Sequence, residues 1–169
     1  MISKEEYCRY VEQYANMVLR ISVNYCKSIP DAEDMVQEVF LKLYETNKDF
    51  QVDEYVKRWI IRVTINLCKN YLKSAWRQKI HFFDSTNTEE NLDNLTEFFE
   101  EDKEKTALYR AVKKLPEKYR SVVHLYYYEE YPIRDIAEIL QKKETTIQTR
   151  LMRARNMLKE QLKGAWHDE

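Results

Sequence analysis

The 169 residues include one Gly (Gly164) and three Pro (Pro30, Pro116 and Pro132), too few turn residues for β-sandwiches, hairpin meanders or Rossmann sheets. A composition of 44% apolar and 34% charged residues is that of a soluble, helix-rich chain, neither membrane-embedded nor disordered. The formal net charge of −1 conceals a segregation: residues 1–79 sum to +2, residues 80–105 to −7 and residues 106–169 to +4. Two basic blocks joined by an acidic one point to charged partners. The expectation is an all-α protein of two small helical domains, residues 1–79 and 106–169, joined by an acidic linker.

The opening MISKEEYCRY has neither the apolar core nor the cleavage site of a signal peptide. Tyr7, Val11, Tyr14, Val18, Ile21 and Tyr25 recur at helical spacing and predict a first helix from Tyr7 to about Ser28. Ser-Ile-Pro-Asp at 28–31 interrupts it. Asp31 is the expected N-cap of a second helix, DAEDMVQEVFLKLYE, in which Met35/Val36, Val39/Phe40 and Leu43/Tyr44 step by four. That register turns Asp34, Gln37, Glu38, Lys42 and Glu45 outward. Residues 46–53 are polar around Phe50 and read as a loop.

A third helix is predicted over residues 54–78. On a wheel of 100° per residue, Arg58, Arg62, Asn66, Lys69, Asn70, Lys73 and Arg77 fall within a sector of roughly 120°, and apolar residues fill most of the remainder. From Tyr55 to Lys79 there is no acid. Solvated helix faces ordinarily mix signs, because Glu–Lys pairs four apart support the helix. A one-sign stripe bearing two Asn suits a polyanion whose bases are also read.

Residues 80–105 lose periodicity and turn acidic, with apolar islands at His81-Phe82-Phe83 and Phe98-Phe99. Helices resume with ALYRAVKKL, its Leu108, Ala111, Val112 and Leu115 on one side. Pro116 suits the first turn of PEKYRSVVHLYYYEE, and Pro132 opens a helix with Ile133, Ile136, Ala137 and Leu140 inward. A polar break at 141–144 precedes a last helix with an inner stripe of Ile147, Leu151, Ala154, Leu158 and Leu162. Thr145, Thr149, Met152, Arg153 and Asn156 lie opposite. A short helix, a tight break and a longer basic helix form the helix-turn-helix pattern, whose second helix enters a major groove.

Nothing catalytic separates the two basic blocks. The single Gly excludes phosphate-loop, nucleophile-elbow and dinucleotide motifs, and the carboxylate pairs Glu89/Glu90 and Glu100/Glu101 sit in the acidic segment. His81, His124 and His167 are scattered, and Cys8, Cys26 and Cys68 lack metal spacing and read as buried free thiols. No enzyme, no metal and no cofactor is expected.

DAEDMVQEVFLKLYE followed by YVKRWIIRVTINLCKNYLK resembles region 2 of bacterial sigma factors, and LPEKYRSVVHLYYYEEYPIRDIAEILQKKETTIQTRLMRARNMLKE resembles their region 4. The resemblance covers residues 18–79 and 108–162, in the family's order. The short linker between them resembles the extracytoplasmic-function (ECF) subclass. It implies a cytoplasmic protein that binds core RNA polymerase through the β′ clamp and the β subunit and directs it to promoter DNA. An anti-sigma factor that masks the same surfaces is the further partner implied.

Carried over by position, the resemblance implies that Asp34, Gln37, Glu38 and Lys42 contact the polymerase clamp. Phe50, Asn66 and Asn70 would read and open the −10 element, with Arg58, Arg62, Lys69, Lys73 and Arg77 on phosphates. Packing of Phe50 on Tyr55 is the competing reading of that ring. Gln148, Thr149, Arg150, Met152, Arg153 and Arg155 would serve −35 recognition. Gln148 stands where relatives often have a basic residue. Gln141-Lys142 replaces the usual Gly at the turn, which predicts a turn conformation without a left-handed Gly. The acidic linker would occupy a positive channel in the polymerase. The alternative is a LuxR-type helix-turn-helix regulator that binds duplex DNA without core polymerase.

Overall fold

A computed structural model describes residues 1–81 and 103–166, with the backbone alone at 75–81, 103–106 and 164–166. The described residues are helical and include no strand, as the sequence predicts. The chain divides into two compact units, Met1–Thr88 and Glu89–Glu169. The expected islands at 82–83 and 98–99 lie outside the described residues, as does nearly all of the expected linker.

The first unit packs three helices. α1 spans Lys4–Val23 and starts earlier than the apolar pattern predicts, because Ser3 and Glu6 close a capping box. The Ser3 hydroxyl accepts the Glu6 N–H at 3.2 Å, and the Glu6 carboxylate accepts the Ser3 N–H at 3.0 Å. Those bonds to Ser3 hold the Glu6 carboxyl below its ordinary pKa. α1 also ends earlier, at Val23, where the Asn24 N–H turns back to the Ile21 carbonyl.

α2 spans Ile29–Glu45, and its N-cap is Ser28 rather than Asp31. Pro30 has no N–H to offer in the first turn, so the Ser28 hydroxyl takes the Asp31 N–H at 3.2 Å. Asp31 itself bonds across the unit, its carboxylate accepting the Tyr71 hydroxyl of α3 (Asp53–His81) at 2.6 Å. Burial and that bond push the Tyr71 phenol well above its ordinary pKa.

The core of this unit joins Met17, Val18 and Ile21 of α1 to Val39, Phe40 and Leu43 of α2 and to Val56, Ile60, Ile61 and Ile65 of α3. Each of these buried apolar side chains contributes about 1.5–3 kcal/mol. The buried Thr64 hydroxyl donates to the Ile60 carbonyl one turn back. Cys26 and Cys68 are buried free thiols as expected, whereas Cys8 is exposed. It is polar-flanked on the outer side of α1, next to Arg9, which the 3–4 periodicity of the helix keeps away from the core.

In the second unit, α4 (Lys103–Lys114) and α5 (Glu117–Val123) pack on α7 (Glu144–Trp166), with α6 (Ile133–Leu140) against α7 as well. One cluster joins Ala111, Leu115, Tyr119 and Val123 to Ala154 and Leu158, with Val112 and Leu162 at its edge. Leu108, expected inward, is exposed; α4 turns the half-buried Tyr109 to the core instead.

The helix after Pro116 does not run regularly to Glu130. It passes from α to π geometry at His124–Tyr128, with the Glu129 N–H bonded to the His124 carbonyl at 3.1 Å. Glu130 then takes a left-handed φ of 57° and the chain turns toward Pro132. Buried His124 stacks on Tyr128 and approaches the Glu129 carboxylate at 3.5 Å.

Candidate nucleic-acid and polymerase interfaces

On α2, Asp34, Gln37, Glu38, Lys42 and Glu45 all face outward, as the heptad-like spacing predicts. Leu41 joins them at 54% exposure, three residues from Glu38 and four from Gln37. A large apolar side chain ringed by charges and amides is the composition of an interface core with a polar rim. Sequence reasoning missed Leu41 because the pairs stepping by four already accounted for the apolar face. It also placed Tyr44 inward. Tyr44 is 73% exposed and meets Tyr7 edge-on at 5.7 Å, while the Tyr7 hydroxyl donates to the Phe40 carbonyl.

On α3 the predicted stripe separates into two kinds of position. Asn66, Asn70 and Lys73 are exposed, and Arg58, Arg62 and Lys69 are half-buried. Arg58 also pairs with Glu54 at 3.2 Å. The Arg77 backbone continues α3, and its side chain lies outside the described residues. Asn66 and Asn70 are one turn apart and present their amides together.

The loop before α3 is tied at its end. Asp53 accepts Arg9 through both carboxylate oxygens, at 2.9 and 3.3 Å, and the Tyr10 hydroxyl at 3.3 Å. The Arg9 guanidinium also lies 5.0 Å from the Tyr10 ring centroid. The Tyr14 hydroxyl reaches the Asp53 carbonyl at 3.5 Å. These contacts fix where α3 begins and therefore where the loop must end. Phe50 is half-buried and packs edge-on against Trp59 at 5.8 Å, not on Tyr55, which is exposed. Trp59 lies about one turn nearer the asparagines than Tyr55 does. Arg9, Tyr10 and Asp53 carried no sequence signal as a group, since their meeting depends on how α1 crosses α3.

The helix-turn-helix comprises α6, the turn and α7. Gln141 supplies the turn with φ 55° and ψ 48°, and the Lys142 N–H bonds to the Ala137 carbonyl at 2.9 Å. The left-handed position is thus kept, and a glutamine carries it in place of glycine. Ile136, Ile139, Ile147 and Leu151 are fully buried between the two helices. Gln148, Met152 and Arg153 project outward, with Thr149 and Arg150 half-buried. The Thr149 hydroxyl bonds back to the Thr145 carbonyl at 2.9 Å. Arg155 departs from this group: its Nε donates to the Tyr127 hydroxyl at 2.7 Å. Its guanidinium stands 5.4 and 5.7 Å from the ring centroids of Tyr126 and Tyr127.

Among the described residues, no group of three His, Cys, Asp or Glu side chains is placed to hold a metal ion, and no helix is long and apolar enough to cross a membrane.

The two units match two named regions of one family. Residues 10–78 match Sigma-70 region 2, and residues 105–158 match Sigma-70, region 4. The chain belongs to the sigma-70 family, in its ECF branch. The RNA polymerase sigma-H factor of Pseudomonas aeruginosa is 25% identical over 157 residues, covering 88% of this chain and 81% of that protein. The RNA polymerase sigma factor SigV of Bacillus subtilis is 28% identical over 143 residues, covering 85% and 82%. The ECF RNA polymerase sigma-E factor of Escherichia coli is 26% identical, covering 89% and 81%. In fold, the chain resembles the sigma factor RpoE in its co-crystal structure with the anti-sigma factor NepR from Bartonella quintana. The TM-score is 0.72 at 18% identity, covering 94% of this chain and 98% of that one. This sigma factor directs transcription, and the LuxR-type alternative is not favoured, because it leaves the match over residues 10–78 without an explanation.

Proposed function

We propose that the α2 face of Asp34, Gln37, Glu38, Leu41 and Lys42 docks on the polymerase clamp while the opposite functions of the unit are carried by α3 and the loop. Asn66 and Asn70 contact the edges of −10 bases, and Phe50, backed by Trp59, stacks on a base drawn out of the duplex. Unstacking costs a few kcal/mol per step. Aromatic stacking returns about 1–3 kcal/mol per base, so one ring and two amides are of the right order to hold an open base. Arg58, Arg62, Lys69, Lys73 and Arg77 hold phosphates and supply affinity without sequence information.

In the second unit Gln148, Thr149, Met152 and Arg153 face the −35 major groove, where Gln pairs with adenine and Arg with guanine. Arg150 is a phosphate neighbour. The factor acts by positioning and hydrolyses nothing, it works in the cytoplasm without a cofactor, and an anti-sigma protein restrains it by covering these surfaces. The observation that carries the reading is the outward Asn66, Asn70 and Lys73 on a helix with no acid from Tyr55 to Lys79.

Run-off transcription on fragmented genomic DNA, with core polymerase and with wild type, Asn66→Ala or Arg153→Ala, tests it. Discrete transcripts that require the wild-type chain and weaken in both variants are expected. Duplex binding by the free chain, with core polymerase indifferent to it, would refute the assignment.

A further inference from the structure

Arg9, Arg58 and Arg155 are each held by defined partners, and they are held in two different ways. Arg9 is gripped by both oxygens of Asp53, and Arg58 by Glu54. Each of those charges is neutralised within the fold. Arg155 is exposed, and among the described residues its polar partners are phenols: the Tyr127 hydroxyl at 2.7 Å, with Tyr126 adding to it. The two rings meet at 80° with centroids 4.9 Å apart and form a corner around the guanidinium.

A neutral holder orders the cation without cancelling it. A phenol that accepts from Nε keeps its own O–H to donate, and Tyr127 is 51% exposed. One exposed corner therefore presents a full positive charge, the terminal guanidinium nitrogens and a phenolic proton. Those are the donors a tetrahedral phosphate takes, and the guanidinium fork fits it in bidentate fashion. The corner lies on α7, three residues beyond exposed Met152 and two beyond Arg153.

We infer that Tyr126, Tyr127 and Arg155 form a clamp for a DNA backbone phosphate beside the bases faced by Gln148, Met152 and Arg153. This rests on the reading of α7 as the −35 helix and deepens it. Of the two roles open to Arg155 within −35 recognition, a phosphate contact or a base-edge contact, the corner favours the phosphate, and two tyrosines from outside the recognition helix enter the interface. The π turn is what delivers them, since Tyr126 and Tyr127 both belong to it.

The test uses holoenzyme assembled from core polymerase and the full-length chain, on a duplex carrying a promoter recovered by run-off transcription. Affinity is measured from 50 to 200 mM salt for wild type, Arg155→Ala, Arg155→Lys and Tyr127→Phe. Arg155→Ala is expected to flatten the slope of log K against log salt by about 0.9, one phosphate contact, and to reduce affinity equally on every −35 sequence. Arg155→Lys should restore the slope. Tyr127→Phe should keep the slope and weaken binding by roughly 10-fold, the loss of one charge-assisted hydrogen bond. An unchanged slope in Arg155→Ala, with wild type still selecting the promoter, would overturn the clamp alone. Loss of discrimination at a single base pair would also overturn it, in favour of a base contact. A wild-type holoenzyme that does not select the promoter would overturn the −35 reading and the clamp together.

Discussion

Replacing Gln141 by Gly should stabilise the second unit. Gln141 sits at φ 55° and ψ 48°, where an L-residue sets its Cβ against the following carbonyl at a cost of about 1–2 kcal/mol. Glycine removes that contact and gives back about 0.4–1 kcal/mol by enlarging the unfolded ensemble. The Schellman bond from the Lys142 N–H to the Ala137 carbonyl uses backbone alone, so it survives the change. The balance favours Gly by about 0.5–1 kcal/mol. In a unit of the size of Glu89–Glu169, that corresponds to a rise of roughly 2–8 °C. Calorimetry of the full-length chain is the assay, with Ile147→Val as the control that marks the transition of this unit. Gln141→Ala keeps the Cβ and should leave that transition nearly unmoved. A Gly variant that melts no higher than wild type, or an Ala variant that gains as much as Gly, would refute the argument from backbone strain.

Other expectations follow from particular contacts. Tyr109 is half-buried, and burial pushes its phenol from 10.0 up to about 12. A raised phenol contributes stability that is complete below pH 10 and is lost as pH climbs toward 12, so Tyr109→Phe should flatten alkaline unfolding of the second unit across that window. Arg9→Ala should destabilise the first unit only slightly, because both side chains of the Arg9–Asp53 pair are half exposed. That loss should shrink when melting is repeated in high salt. Tyr71→Phe removes a 2.6 Å bond to a carboxylate and should cost about 1.5–3 kcal/mol in urea unfolding. Leu41→Ala is expected to leave the melting temperature unchanged and to weaken competition for core polymerase about tenfold, near 1.4 kcal/mol; unchanged competition would remove α2 from the interface.

Much of the fold is legible in the sequence because burial here follows one rule. Apolar residues at three- and four-residue spacing mark the inner faces of α1, α3 and α7, and Ile147, Leu151 and Ala154 lie in the core where the stripe places them. Capping was misread at α2. Asp31 and Ser28 are both good N-caps, and the choice depends on a proline whose missing N–H moves the helix start upstream. Leu108 was misread for another reason: Tyr109 outcompetes it for the core by size, which periodicity does not weigh. The π turn has no local signature, since Tyr126, Tyr127 and Tyr128 fit a regular helix equally well by propensity.

The interface residues divide along the same line. The outward residues of α2 and the exposed asparagines of α3 follow from register within a single helix. Phe50 on Trp59 and Arg155 between two tyrosines arise from contacts between different elements. Register along one element is written in a sequence; which side chains meet across elements is decided by the packing.

The widened turn at His124–Tyr128 also acts as an accommodated insertion. A π turn closes its hydrogen bonds over five residues where an α turn needs four, so this stretch holds one residue more than a regular helix would in the same length of axis. Shortening the tyrosine triplet by one would let the helix continue in α register and leave the hydrophobic contacts of α5 in place. The next residues would then be rotated by roughly 100° about the axis, and the phenol that meets Arg155 would point elsewhere. A single-codon deletion here would therefore leave a folded helix-turn-helix with its tyrosine corner dismantled. Length variation at this one point is a route by which the helical scaffold can stay constant while the surface beside α7 changes.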